Sequence, residues 1–236
     1  MEQKLQRLPD AILKKIIEAL PSEVKEVLFV YPQLFVAGGA IRAILAGEPV
    51  KDIDIFTTSL DAIPCAVSRY ALEFEPYGEV KKTWTPCTRT VKVEGFPPVQ
   101  FINNIAYTSP EECVRQFDFT VCQAAIWKTE PGWGSCCAPD FIQDVADKRL
   151  VYTAPSRVEA PGGSLWRAIK YTRRGYSITQ MEFARLIERM VEGQNKIKLE
   201  HYKTHGMIVD DLERYAFRAS DVVRSFSMSG RIGGSY

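Results

Sequence analysis

Two aspartates, Asp52 and Asp54, stand two residues apart in Lys51-Asp52-Ile53-Asp54-Ile55. Residues two apart in a strand share a face, so both carboxylates would lie on one side and both isoleucines on the other. Adjacent carboxylates repel each other. A hard cation is the usual reason for keeping them together, and Mg2+ takes oxygen ligands while leaving positions open for substrate phosphates. Upstream, Leu34-Phe35-Val36-Ala37-Gly38-Gly39-Ala40-Ile41-Arg42 reads as a buried strand, a glycine turn and a helix. Such a turn aims backbone N–H groups and the positive end of a helix at an anion. Arg42, one turn into the helix, is placed to add a bidentate phosphate contact. Each part has a plainer reading: a Gly-Gly pair is often only a turn, Asp-x-Asp a solvated strand end, and Arg42 a surface residue. In this order, with one short helix between them, the parts point to a site for a metal–nucleotide complex.

These residues need a scaffold. Apolar residues from Leu5 to Leu20 repeat at helical spacing, Pro21 ends that helix, and Ser22 can cap a second over residues 23–30. Gly47 and Pro49 stop the helix carrying Arg42. A helix through Leu60 to Phe74, capped by Thr58 or Ser59, precedes three short strands at residues 80–84, 90–94 and 98–102, read as a β-meander. Ser109-Pro110-Glu111-Glu112 opens a short helix. Residues 118–126 read as a buried strand or a turn into one. Residues 129–140 read as a loop, with Trp133 either stacking on a base or holding the loop down. A short helix follows with Asp140, Asp144 and Asp147 facing water, then a last strand at residues 150–152. Ser164 is the expected cap of a helix bearing Arg167, Lys170 and Arg174 on one face. Ser177 is the expected cap of a helix over residues 178–191, and another amphipathic helix is expected over 208–226.

Gly38-Gly39-Ala40-Ile41-Arg42 followed by Asp52-Ile53-Asp54 resembles the head of the poly(A) polymerase and tRNA CCA-adding branch of the DNA polymerase β-like nucleotidyltransferases. The resemblance runs from about Gln33 to Tyr176 and continues more faintly at Asp118 and at Trp166 to Tyr171. It implies an α/β (α+β) head, with a mixed, antiparallel-containing sheet flanked by helices and a short helical C-terminal part. It also implies an enzyme. Asp52 and Asp54 would hold Mg2+ (or Mn2+), and an NMP would pass from an NTP to an acceptor hydroxyl with release of pyrophosphate. Gly38, Gly39 and Arg42 would seat phosphates, with Asp118, Arg167, Lys170 and Arg174 as further nucleotide-binding candidates. The expected organisation is 1–32 as N-terminal helices, 33–158 as the head, 159–226 as a neck-like helical region and 227–236 as a tail.

The sequence also departs from that family. Gln100 stands where a third carboxylate is expected, with Glu94 as a substitute. In the Arg-Arg-Asp-x-x-x-Asn ribose motif, Asp118 is kept, but Gln116 and Phe117 replace the arginines and Cys122 the asparagine. The Glu-Asp-x-x-Arg template for choosing CTP and ATP falls on Ala160, Pro161 and Ser164, which argues against true CCA addition. An RNA 3′ end is the first acceptor expected. Transfer to a protein or a small molecule is one alternative, and a decayed nucleotide- or RNA-binding module is another.

A net charge of +1, with 25% charged and 46% apolar residues, suits a globular domain and excludes a polybasic surface overall. No apolar run is long enough for a bilayer and Met1-Glu2-Gln3-Lys4 opens no secretory signal, so no membrane partner and a cytoplasmic location are expected. The six cysteines, without Cys-x-x-Cys spacing, read as reduced thiols, and His201 and His205 as surface residues. Oligomeric state is left open.

Overall fold

Seven strands form the central sheet in the order β3-β4-β5-β2-β1-β6-β7. The computed structural model describes residues 4–74, 79–155 and 163–196, and it divides into two units. The first holds the described residues of Met1–Phe117 with Val121–Val145; the second holds those of Asp118–Thr120 and Ala146–Tyr236.

In the first unit the strands are β1 (Leu34–Ala37), β2 (Ile53–Thr57), β3 (Val80–Trp84), β4 (Thr88–Val93), β5 (Val99–Ile102), β6 (Ala124–Lys128) and β7 (Trp133–Cys137). The helices are α1 (Asp10–Ala19), α2 (Ser22–Val30), α3 (Gly39–Ala46), α4 (Ala62–Phe74), α5 (Pro110–Arg115) and α6 (Phe141–Ala146), the last residue of which falls in the second unit. The predicted meander β3-β4-β5 is antiparallel, and it joins the sheet through a parallel β5–β2 pair. All other pairs in this sheet are antiparallel. The fold is therefore the mixed, antiparallel-containing sheet flanked by helices expected from the sequence. β1 is buried along its whole length, as its unbroken apolar run requires.

Several elements correct the sequence reading. The first helix starts at Asp10, after Pro9, while Gln6 bridges to Cys137 at the outer edge of β7. Proline fits a helix start, so the apolar stripe outruns the helix. Ser22 is the first residue of α2, and Pro21 takes the cap position. The expected loop at 129–140 contains β7, because Gly134 lets the Trp127 indole lie across the hairpin. Glycine, serine and cysteine carry little strand signal, so only the cross-strand partner makes this segment legible. Trp133 belongs to that strand and has the Lys128 Nζ 5.8 Å from its ring centroid. Asp144 is fully buried, whereas Asp140 and Asp147 face water as expected. Of the two readings for residues 118–126, the turn into a strand holds: a 3-10 segment at Thr120–Cys122 leads into β6.

The second unit contains β8 (Arg149–Leu150), α7 (Gly163–Thr172), β9 (Ser177–Ile178) and α8 (Gln180–Lys196), with β8 and β9 paired in parallel. Ser164 is the second helical residue of α7, not its cap. Thr179 rather than Ser177 caps α8, its Oγ1 accepting from the Glu182 N–H at 3.2 Å, which leaves Ser177 to β9. The helix expected at 208–226 lies outside the described residues. No described helix is long and apolar enough to cross a membrane.

Candidate active site

Gly38 closes β1 and caps α3 with φ +82° and ψ −130°, a backbone state essentially confined to glycine. A Cβ there would meet the Phe117 ring at 3.0 Å. Its N–H donates to the Ala124 carbonyl at 3.0 Å, tying the turn to β6. Gly39 opens α3 and differs in kind: a Cβ there would meet nothing within 4 Å. Neither dihedral strain nor packing in the first unit demands a glycine at this position. Its bareness leaves the N-terminus of α3 open to an anion, where unpaired N–H groups carry partial positive charge.

Asp52 lies just before β2 and Asp54 within it, both half-buried. Ile53 and Ile55 between and beyond them are buried, so the predicted alternation is present. Among the described residues neither carboxylate has a hydrogen bond or an ion pair. Loss of solvent, and then the neighbouring charge of Asp52, push the Asp54 carboxyl up to about 7. Asp54 pairs across the parallel junction with Gln100. The amide therefore occupies the adjacent strand position where the resemblance implies a third carboxylate. Glu94 lies beyond the end of β4 and is exposed.

Behind the site is an aromatic cluster. Phe56, two residues beyond Asp54, stacks on Phe35 with centroids 5.8 Å apart and takes Phe117 edge-on at 5.8 Å. Phe117, which the sequence reading treats only as a lost arginine, thus braces both the glycine turn and the strand carrying the carboxylates. No local sequence signal marks that role, which depends on two long-range contacts.

Arg42 is buried, with a guanidinium nitrogen 3.8 Å from the Glu48 carboxylate, an ion pair that spans α3 and its end. Asp118, Arg167, Lys170 and Arg174 belong to the second unit. There the Arg167 Nε donates to the buried Asp118 carboxylate, so two residues expected as separate nucleotide contacts are partners of each other. An acid distant in sequence thus lies against the basic face of α7. Lys170 lies over the Trp166 ring and Arg174 over the Tyr171 ring.

A family model described as Gabija anti-defense 2 family protein matches residues 8–148, a span covering both the glycine turn and the aspartates. The chain belongs to the Gabija anti-defense 2 family. It is 28% identical over 158 residues to the Gabija anti-defense 2 of Bacillus phage SPbetaL7, a match covering 66% of this chain and 36% of that protein. This member of the family thus spans about a third of the length of the curated relative it matches. Its fold is similar to that of the Thermotoga maritima CCA-adding enzyme complexed with tRNA, with a TM-score of 0.51 at 18% identity. That match covers 81% of this chain and 46% of the other. A CCA-adding enzyme in complex with CTP gives a TM-score of 0.53 at 19% identity, with the same coverage. At such identities the likeness establishes the fold.

Two carboxylates and an adjacent amide form a hard-oxygen donor set of the kind Mg2+ accepts. Among the described residues no group of three His, Cys, Asp or Glu side chains is gathered for a metal. A site at Asp52 and Asp54 would therefore draw its remaining ligands from substrate or water.

Proposed function

We propose that this protein transfers an NMP from an NTP to an acceptor hydroxyl, using the first unit's glycine turn and aspartate pair. The observation carrying the reading is the pair itself: two half-buried carboxylates, without a counter-ion among the described residues. Asp54 stands on the strand that follows a glycine-capped helix, and Asp52 immediately before that strand. Asp52 and Asp54 would hold Mg2+, or Mn2+, which when bound neutralises charge on the triphosphate and lowers the pKa of a ligated acceptor hydroxyl.

The remaining work falls to the chain. Gly38 fixes the turn, and the bare Gly39 admits phosphate oxygens to the N–H groups opening α3. Arg42, buried against Glu48, adds positive charge behind the turn and holds the helix end in place. Gln100 beside Asp54 can give a carbonyl oxygen or donate N–H, but not a third negative charge. The acceptor oxygen attacks the α-phosphorus and the bond to pyrophosphate breaks, so catalysis consists largely of positioning and electrostatics. Lys170 and Arg174, the further phosphate candidates, belong to the second unit, where Asp118 and Arg167 pair with each other.

An RNA 3′ end is the acceptor we favour, with a protein or small molecule as the alternative. The family's description as anti-defense supports an acceptor met in opposing Gabija. The amide at Gln100 is the specific observation favouring the second reading, a decayed head that binds nucleotide without turnover.

The test incubates the full chain with each labelled NTP, Mg2+ or Mn2+ and total RNA, beside an Asp52→Ala/Asp54→Ala control. Pyrophosphate release and label incorporation that vanish in the control are the expected result. NTP binding without release under any metal would replace transfer by the binding-module reading.

A further inference from the structure

We infer that Asp52, Asp54 and Gln100 form a site for one divalent cation, and that the Gln100 amide sets this number by standing where a second cation would need a carboxylate. This count rests on the proposed reading of the aspartates as a cation site, and not on turnover.

Register defines what surrounds the pair. Asp54 pairs with Gln100 on β5, and Gln100 with Thr90 on β4, so these side chains share one sheet face. On the other side, continuing the β1–β2 register sets Ala37 opposite Asp54, and Ala37 pairs with Ala125 on β6. The row through Asp54 therefore offers one carboxylate, one amide and one hydroxyl, with alanines beyond. In the row of Asp52, the same register places Pro98 and then Lys92. Neither row holds a third acid. Glu94, the next acid along from Lys92, is exposed past the end of β4, with Lys92 nearer the site. Among the described residues it joins no group of three acids.

Two cations that share a phosphoryl-transfer site stand about 3.5–4 Å apart, and only anions placed around both offset their repulsion. An NTP supplies phosphate oxygens for the ion it carries. The protein's two carboxylates match the charge of one divalent ion, and the strand beside them adds a neutral oxygen. Gln100 can fill a coordination position, since a side-chain amide carbonyl is a ligand that hard cations accept. It cannot cancel the charge of another ion. Its side chain is half-buried, and among the described residues no hydrogen bond holds the amide elsewhere. A glutamine that merely filled the face could be exchanged for leucine without effect on the cation, whereas a ligand could not.

The test counts Mn2+ on the full chain by equilibrium dialysis and electron paramagnetic resonance, with α,β-methylene ATP present as an NTP that cannot be cleaved at the α-phosphorus. Wild type should hold one Mn2+ per chain, with the spectrum of an isolated ion. Gln100→Glu should hold two, with the exchange-broadened spectrum of ions about 4 Å apart. Gln100→Leu should hold one, about tenfold more weakly, a loss usual for groups that support a metal site. Thermal melts should show both variants folded; if Gln100→Glu does not fold, the wild-type count and Gln100→Leu decide. Two Mn2+ on wild type, a count unchanged in folded Gln100→Glu, or an affinity unchanged in Gln100→Leu would each overturn the inference. No Mn2+ on wild type would overturn it together with the proposed cation site. One Mn2+ on wild type, without pyrophosphate release from ATP in a parallel assay, would sink the transferase reading and leave the count standing.

Discussion

Asp54 sets folding stability against the proposed metal chemistry in one side chain. Its carboxyl, raised to about 7, keeps a proton in the folded chain that an unfolded aspartate loses near its ordinary value of 3.8. Between those two values the folded state binds more protons than the unfolded one, so stability falls as pH rises through that window and levels off above it. Asp54→Asn removes the charge and keeps the shape. We expect it to melt higher than wild type at pH 8, by roughly 1–3 kcal/mol, and to match it near pH 4. A parallel pyrophosphate assay should find it inactive. Equal melts at pH 8 would mean that Asp54 is better solvated than its place in β2 implies. A cation must also displace that proton, so metal-dependent activity should decline as pH drops below about 7.

At the scale of elements, the turn into α3 assigns different work to two neighbouring glycines. Gly38→Ala meets both a left-handed backbone and the Phe117 ring, and should lose about 1–3 kcal/mol of stability. Gly39→Ala meets neither. It should leave the melt within about 0.5 kcal/mol while raising the KM for NTP, because a methyl then crowds the opening of the helix. A Gly39→Ala enzyme with wild-type kinetics would remove the phosphate role from this turn. The β6–β7 hairpin poses a different test. A Cβ on Gly134 would run into the Trp127 indole, so Gly134→Ala should destabilise by about 1–3 kcal/mol. Adding Trp127→Leu should recover much of that loss in a double-mutant cycle. These elements also mark where the sequence was legible. Strand, turn, helix and second strand could be read from Leu34 to Phe56 because local periodicity and glycine chemistry agree there. β7 could not, since its Gly-Ser-Cys-Cys run becomes a strand only against Trp127. Nor could Asp144 be read as buried, because a carboxylate's partners are set by tertiary contacts that no helical period encodes.

Across the molecule the same division holds. The resemblance carried the head fold because the motif order constrains the sheet, whereas the Asp118–Arg167 pair joins residues distant in sequence that looked like independent ligands. The proposed site in the first unit would offer a triphosphate two kinds of field at once, helix N–H groups that attract and two carboxylates that repel. Neither NTP nor metal alone should therefore bind well, and together each should recruit the other, with a coupling that is reciprocal. Ligands that bind only the folded chain raise its stability by mass action, by about 2.7 kcal/mol at a hundred times Kd. Thermal melts of the full chain should move little with 1 mM ATP or 1 mM Mg2+ separately and clearly with both, values chosen on the order of ordinary substrate levels. In Asp52→Asn/Asp54→Asn the repulsion is gone, so ATP alone should stabilise more than it does in wild type, and Mg2+ should add nothing. A wild-type shift with ATP alone, equal to that with both, would locate the nucleotide away from the aspartates and separate the glycine turn from the metal chemistry proposed for it.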